Sequence, residues 1–141
     1  MEETAFYNRC SIQIRFNDVD GLGHVNNATI QEYFDLGRMQ YMDEVFGNTM
    51  FTGNETIIVA SIHTDFMSPI YLRDDIDVKT AIVHLGNKSL KMEQQAVCRN
   101  TGAVKATCKS VMVGFHKETE EALVLTPAWR DAVCKQEQRT F

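Results

Sequence analysis

The chain is poor in the residues and patterns that mark several protein classes, and each shortage narrows the reading. Of 141 residues only two are proline, Pro69 and Pro127, and no repeat, low-complexity stretch or charge block divides the sequence. A single compact domain spanning 1–141 is therefore expected. No apolar run approaches the roughly 20 residues of a membrane span. The start, Met1-Glu2-Glu3-Thr4, has no basic region leading into an apolar one, so no export signal and no membrane association are expected. Cations are in deficit. Fourteen Lys and Arg face nineteen Asp and Glu, a formal charge of −5, which argues against general affinity for nucleic acid phosphates. A local cluster of cations can still hold a small phosphorylated ligand. The four cysteines, Cys10, Cys98, Cys108 and Cys134, form no CxxC pair and have no histidine at metal-ligand spacing. They read as buried, reduced thiols, which suits a cytoplasmic location, and no metal site is expected.

What is present is an apolar share of 44%, enough for a core without disulfides. Ser11-Ile12-Gln13-Ile14-Arg15-Phe16 alternates with period two and predicts a first strand. A polar loop from Asn17 to Asn27 follows. Ile30, Tyr33, Phe34, Gly37, Tyr41 and Val45 then fall at steps of three and four and predict one long helix, capped by Asn26 or Asn27 and ended by Gly47. Gly37 interrupts the stripe where alanine would favour helix by about 1 kcal/mol, so the helix is expected to approach a sheet closely there.

Strand patterns take over from Thr56 to Phe66, where Ile57-Ile58-Val59-Ala60 reads as a segment covered on both faces. Ile76 to Ile82, Leu90 to Ala96 and Val104 to Phe115 alternate, and Gly86-Asn87-Lys88 and Asn100-Thr101-Gly102 read as hairpin turns between them. An antiparallel meander is predicted. Pro127 opens a short C-terminal helix, Ala128 to about Gln138, whose weak apolar face suggests a surface position. The expected architecture is α+β: about five antiparallel strands wrapped around one long helix. Pairing an exposed sheet edge with a second copy would give a homodimer.

Chemistry concentrates in Arg15-Phe16-Asn17-Asp18-Val19-Asp20-Gly21-Leu22-Gly23-His24-Val25-Asn26-Asn27. Two carboxylates, two glycines and a histidine stand immediately before a helix start. First-turn N–H groups lack intrahelical partners and carry the positive end of the helix dipole, so this place binds an anion or polarises a carbonyl. A carboxylate beside it can serve as nucleophile or general base. The same residue types also serve as ordinary caps and turn formers.

Arg15-Phe16-x-Asp18-x-Asp20-x-x-Gly23-His24-Val25-Asn26-Asn27, followed by a helix bearing Tyr33-Phe34 and Arg38, resembles the signature of the 4-hydroxybenzoyl-CoA thioesterase-like family of hotdog-fold acyl-CoA thioesterases. The likeness continues in Asp65-Phe66-x-x-Pro69-Ile70-x-x-x-Asp74, in Gly86-Asn87-Lys88-Ser89-Leu90 and in Val113-Gly114-Phe115. The resemblance implies a hotdog fold, a homodimer joined through the sheets with a homotetramer as the larger assembly, and hydrolysis of an acyl-CoA to free acid and CoA without a cofactor. It makes Asp20 the catalytic carboxylate, as nucleophile or as general base, and the Asn27 N–H the group that polarises the thioester carbonyl. Gly23 then occupies a close-approach position, and His24 and Asn26 bind substrate or brace the loop, bracing being favoured for Asn26. Gly86, Asn87, Lys88 and Ser89 are candidates for CoA phosphate contact, with Lys91 and Arg73 of the right charge.

Asp18 reads as a structural residue, held by backbone N–H groups or by Arg15. Glu32 and Asp35 fall off the apolar stripe, and Asp65 is a minor candidate. Two alternatives of other classes stand beside hydrolysis: a dehydratase or hydratase using His24 with Asp20, and a non-catalytic module binding acyl-CoA or acyl carrier protein. A thiol enzyme built on Cys98 or Cys108 has no nearby histidine to support it.

Overall fold

The computed structural model describes residues 3–47 and 49–141. Among these residues six strands form one antiparallel sheet: β1 (Asn8–Ile12), β2 (Glu55–Phe66), β3 (Ile76–Leu85), β4 (Ser89–Cys98), β5 (Val104–His116) and the two-residue β6 (Ala122–Leu123). Their order is β1-β3-β4-β5-β2, with β6 added to β5. The long helix α1 (Asn27–Phe46) lies across the sheet; a single turn, α2 (Thr49–Thr52), follows it, and α3 (Pro127–Glu137) closes the chain. A sheet wrapped around one long helix is the hotdog architecture that the family resemblance implies.

Helix α1 begins and ends where its sequence dictates. The Asn26 side chain accepts the Ala28 N–H, and Gly47 ends the helix at φ +74° with its N–H on the Asp43 carbonyl. Ile30, Tyr33, Phe34, Gly37, Tyr41 and Met42 are buried on one face. The first three pack with Ile76, Val78, Ala96 and Ala106; Tyr41 and Met42 pack with Ile82, Leu90, Met92 and Met112. Each fully buried side chain of this size contributes about 1.5–3 kcal/mol. Gly37 marks the close approach: a Cβ there would lie 2.5 Å from Val78 Cγ1.

Several expectations need correction. The first strand is Asn8–Ile12 rather than Ser11–Phe16, because its ladder runs from Asn8 opposite Thr80 to Ile12 opposite Ile76 and stops there. Ile58, Val59 and Ala60 are exposed in this chain, since β2 is an edge strand that pairs, among the described residues, with β5 alone. Helix α3 is docked rather than superficial: Val133 and Glu137 are buried, and Trp129 meets Phe46 edge-on at 6.4 Å. Of the four free thiols Cys98 and Cys108 are buried, whereas Cys10 and Cys134 are half-buried. The short β6 has no counterpart among the strands that the sequence predicts.

Candidate active site

The loop before α1 is built by short-range hydrogen bonds that follow from its Asp, Gly and Asn content. Residues 16–18 make one 3₁₀ turn. Val19 and Val25 then bridge as a minimal antiparallel pair, and the chain between them closes through Asp20 N–H to His24 O and Gly23 N–H to Asp20 O, both 3.1 Å. Asp20 Oδ1 accepts the Leu22 N–H at 2.9 Å, the side-chain mimic of a turn that Asp favours. Gly23 sits at φ +90°, a backbone state that a side chain would strain. The loop is moored to the body by Val25 N–H on Ile70 O at 2.8 Å and is closed on itself by Asn26 N–H on Asp18 O at 3.0 Å.

Asp18 is buried beneath this loop. Its Oδ2 accepts the Tyr33 hydroxyl at 2.6 Å and the Arg15 backbone N–H at 3.0 Å. Asp20 is half-buried, and its Oδ2 carries one long contact, 3.4 Å from Asn26 Nδ2. Because the Asn26 Oδ1 simultaneously caps Ala28, this one side chain ties the Asp20 carboxylate to the first turn of α1. Asn27 is the first helical residue, and its N–H has no intrahelical acceptor. A donor and a carboxylate oxygen are thus set at the same helix start. His24 is half-buried, with Nδ1 3.5 Å from Val25 O.

A cleft of about 210 Å³ opens beside this helix start, lined by His24, Val25, Asn27, Ile30, Phe66, Met67, Ser68 and Pro69. Its walls are mostly apolar, with His24, Asn27 and Ser68 the polar residues among them. That is a suitable arrangement for an uncharged acyl group whose carbonyl reaches the Asn27 N–H.

The other sequence candidates lie elsewhere. Gly86, Asn87, Lys88 and Ser89 form the β3–β4 turn, fixed by Leu125 N–H to Asn87 O, by Gly114 N–H to Lys88 O and by Arg130 Nη1 to Gly86 O. The cleft lies level with Ala96, because Phe66 pairs Ala106 and Ala106 pairs Ala96. Seven residues of β4 separate Ser89 from that level, which is about 23 Å at ~3.3 Å per residue. One chain does not bring the turn to Asp20. Arg73 is at the cleft's end of the sheet, beside Ile12 and Asp74, whereas Lys91 is on β4 toward the far end.

Thr64 bonds Gln31 on α1, so its neighbour Asp65 projects to the opposite face of β2, where it meets His63 at 3.2 Å. Asp35 is exposed and pairs with the buried Arg38; Glu32 is exposed. Burial pushes the Cys108 thiol up, the reverse of what a thiol nucleophile needs. Two features escape a reading of the sequence, the Tyr33–Asp18 mooring and the Gln31–Thr64 bond. Both join residues whose separation follows no local spacing rule.

Residues 14–136 match the family model described as the thioesterase-like superfamily. A thioesterase from Thermus thermophilus, solved with coenzyme A and Zn, is similar at 32% identity and TM-score 0.85, over 96% of this chain and 98% of that one. A predicted thioesterase from Bacillus stearothermophilus gives 25% identity and TM-score 0.83, over 92% and 95%. YsmA of Bacillus subtilis (strain 168) is 28% identical over 134 residues, 90% of this chain and 81% of YsmA.

Proposed function

The chain belongs to the thioesterase-like superfamily, and we propose that it hydrolyses an acyl-CoA thioester to a free carboxylic acid and CoA at the start of α1. The observation that carries this reading is the Asn26 side chain, which holds the Asp20 carboxylate against the helix start while capping that helix. A thioester carbonyl seated with its oxygen on the Asn27 N–H gains most where charge develops on that oxygen, in the tetrahedral transition state. Asp20 acts there in one of two ways. As general base it takes a proton from water, whose oxygen bonds the carbonyl carbon as the C–S bond breaks. As nucleophile it bonds that carbon first, and water then cleaves the mixed anhydride. In both routes the sulfur leaves to become the CoA thiol, and no cofactor takes part.

The binding of CoA follows from the sheet edge. Strand β2 is twelve residues long and exposes Ile58, Val59, Ile62 and Phe66. Antiparallel pairing of β2 with β2 of a second copy, around a two-fold axis, continues the sheet and covers these side chains. It also reverses ends, so that the Gly86–Ser89 turn of the second copy approaches the Asn27 end of the first. A homodimer therefore offers the Lys88 ammonium to the CoA phosphates, and pairing of two such dimers gives the tetramer. The Thermus relative was solved with coenzyme A, which supports CoA as the carrier. Four free thiols suit a reducing compartment such as the cytoplasm.

The test is thiol release from short, long and aromatic acyl-CoAs by the wild type and by Asp20→Asn. Release that falls about 100-fold or more in a folded Asp20→Asn variant is expected for loss of an acid–base or nucleophilic group. No release from any acyl-CoA would favour a binding module. Water addition to an enoyl-CoA, with no thiol freed, would favour a hydratase.

A further inference from the structure

Just beyond the residues that line the cleft beside Asn27, one hydrogen bond joins α1 to β2. Following α1 inward from Asn27, Gln31 comes one turn later, about 6 Å along the axis at ~1.5 Å per residue. Following β2 back from Phe66, the next residue on the helix side is Thr64. These two meet: Thr64 Oγ1 donates to Gln31 Oε1 at 3.0 Å. Asn27 and Phe66 both line the cleft, so the bond joins helix to sheet one turn of α1 and two residues of β2 further in.

The space behind the bond is occupied and polar. Arg38, 5% exposed, pairs with Asp35 and lies with Nη2 3.9 Å from Cys108 Sγ, and its Nε is buried without a hydrogen-bond partner. An alkyl chain pushed past Thr64 would break a partly buried hydrogen bond and then lie against a guanidinium that it has no means of satisfying.

We propose that the Gln31–Thr64 bond is a depth stop that restricts the acyl pocket to short chains, of about four to six carbons, given ~1.5 Å C–C bonds and the one-turn depth. The inference rests on the thioesterase reading and adds the substrate class to it. The cleft volume of about 210 Å³ agrees, since pockets that enclose drug-sized ligands span roughly 300–1,000 Å³.

The test is kcat/KM for straight-chain acyl-CoAs from two to twelve carbons, with wild type, Gln31→Ala and Thr64→Ala. Wild type is expected to be best at four to six carbons and at least about tenfold slower at ten. Each variant is expected to raise the ten-to-four-carbon ratio about tenfold. Both positions are only half-buried, and alanine favours helix at position 31, so melting curves near wild type are expected. A wild type that prefers ten carbons or more, or variants with an unchanged ratio, overturns the depth stop while leaving hydrolysis intact. If wild type hydrolyses no acyl-CoA, the thioesterase reading fails separately. Calorimetric Kd values for butyl-CoA and decyl-CoA thioethers then decide: a ratio moved about tenfold by Gln31→Ala supports the stop, and an unmoved ratio or absence of binding overturns it.

Discussion

Tyr33 donates its hydroxyl to Asp18 Oδ2 at 2.6 Å, so the second turn of α1 and the turn preceding Asp20 are locked into one piece. Burial first, and then the bond to Asp18, raise the Tyr33 phenol above its ordinary value, so it remains a donor at neutral and mildly alkaline pH. Tyr33→Phe leaves the buried Asp18 carboxylate with the Arg15 N–H as its remaining bond to Oδ2. A loss of about 1–3 kcal/mol is expected from removing one partner of the buried carboxylate, together with a lower kcat because the loop carrying Asp20 loses one of its anchors. Chemical denaturation alongside thiol-release kinetics checks this; unchanged stability would show that the bond is not formed in solution.

Gly37 opposite Val78 is a second specific contact. Alanine at 37 improves helix propensity by about 1 kcal/mol, but its Cβ would sit 2.5 Å from Val78 Cγ1. Overpacking of this kind costs about 1–3 kcal/mol, so Gly37→Ala is expected to be destabilising on balance. Val78→Ala removes the obstructing methyls and destabilises by leaving a cavity. The double variant is expected to be more stable than the sum of the two effects predicts, by at least about 1 kcal/mol. Additive denaturation midpoints would mean that helix and sheet relax apart at this point without cost.

Much of this architecture is legible in the sequence because its signals are local. Ile30 to Tyr41 fall at helical spacing, Asn26 and Gly47 are end signals, and Gly86-Asn87-Lys88 is a turn in any context. The loop from Asp18 to Asn27 is contiguous, so its residues are necessarily neighbours in space. What the sequence hides depends on partners. Ser11–Phe16 alternates as well as Asn8–Ile12 does, but register is set by the strand opposite, here β3. The Ile57–Ala60 run looks the same whether it is covered on both faces or lies at an edge. Glu137 weakens the apolar face of α3, and only its tertiary partners explain why it is buried. The Gln31–Thr64 bond spans 33 positions, and no spacing rule points to it.

The proposed role of Lys88 separates binding of the nucleotide from chemistry at the carbonyl. Its turn lies about 23 Å from the cleft in the same chain, at ~3.3 Å per β4 residue, so the proposed contact requires a second copy. Lys88→Ala is expected to raise KM for CoA thioesters about two- to fivefold, in keeping with ~0.3–1 kcal/mol for an exposed ion pair, with kcat nearly unchanged. Thioesters of N-acetylcysteamine, which lack the nucleotide, should show no change. The effect on CoA esters should also shrink as salt is added. An equal KM increase for both thioester types would remove the phosphate role.

Glu137 gives stability a pH dependence of predictable sign. The last turn of α3 places its carboxylate, 5% exposed, where Oε2 accepts the Tyr41 hydroxyl and the Ile82 N–H, the latter at 3.1 Å. β1 pairs with β3 only as far as Thr80, so no β1 residue is paired with Ile82. Burial raises the Glu137 pKa above 4.5, against the opposing pull of the Tyr41 and Ile82 bonds and the Arg139 charge. Glu44 on α1 is the further acid near this pair, acting on Tyr41. Between 4.5 and the raised value the folded state binds more proton than the unfolded state. The stability contributed by the neutral acid is therefore complete below 4.5 and is lost as pH rises through the folded-state value. Glu137→Gln keeps an oxygen to accept from Tyr41 and Ile82 but does not titrate. The stability of wild type relative to Glu137→Gln, from urea denaturation at pH 4 to 8, is thus expected to fall as pH rises. Glu137→Ala should be about 1–3 kcal/mol less stable than Glu137→Gln at every pH, since it leaves the hydroxyl and the N–H unpaired. A difference between wild type and Glu137→Gln that stays flat across the range would mean that the carboxylate is hydrated in solution and that α3 is not docked through it.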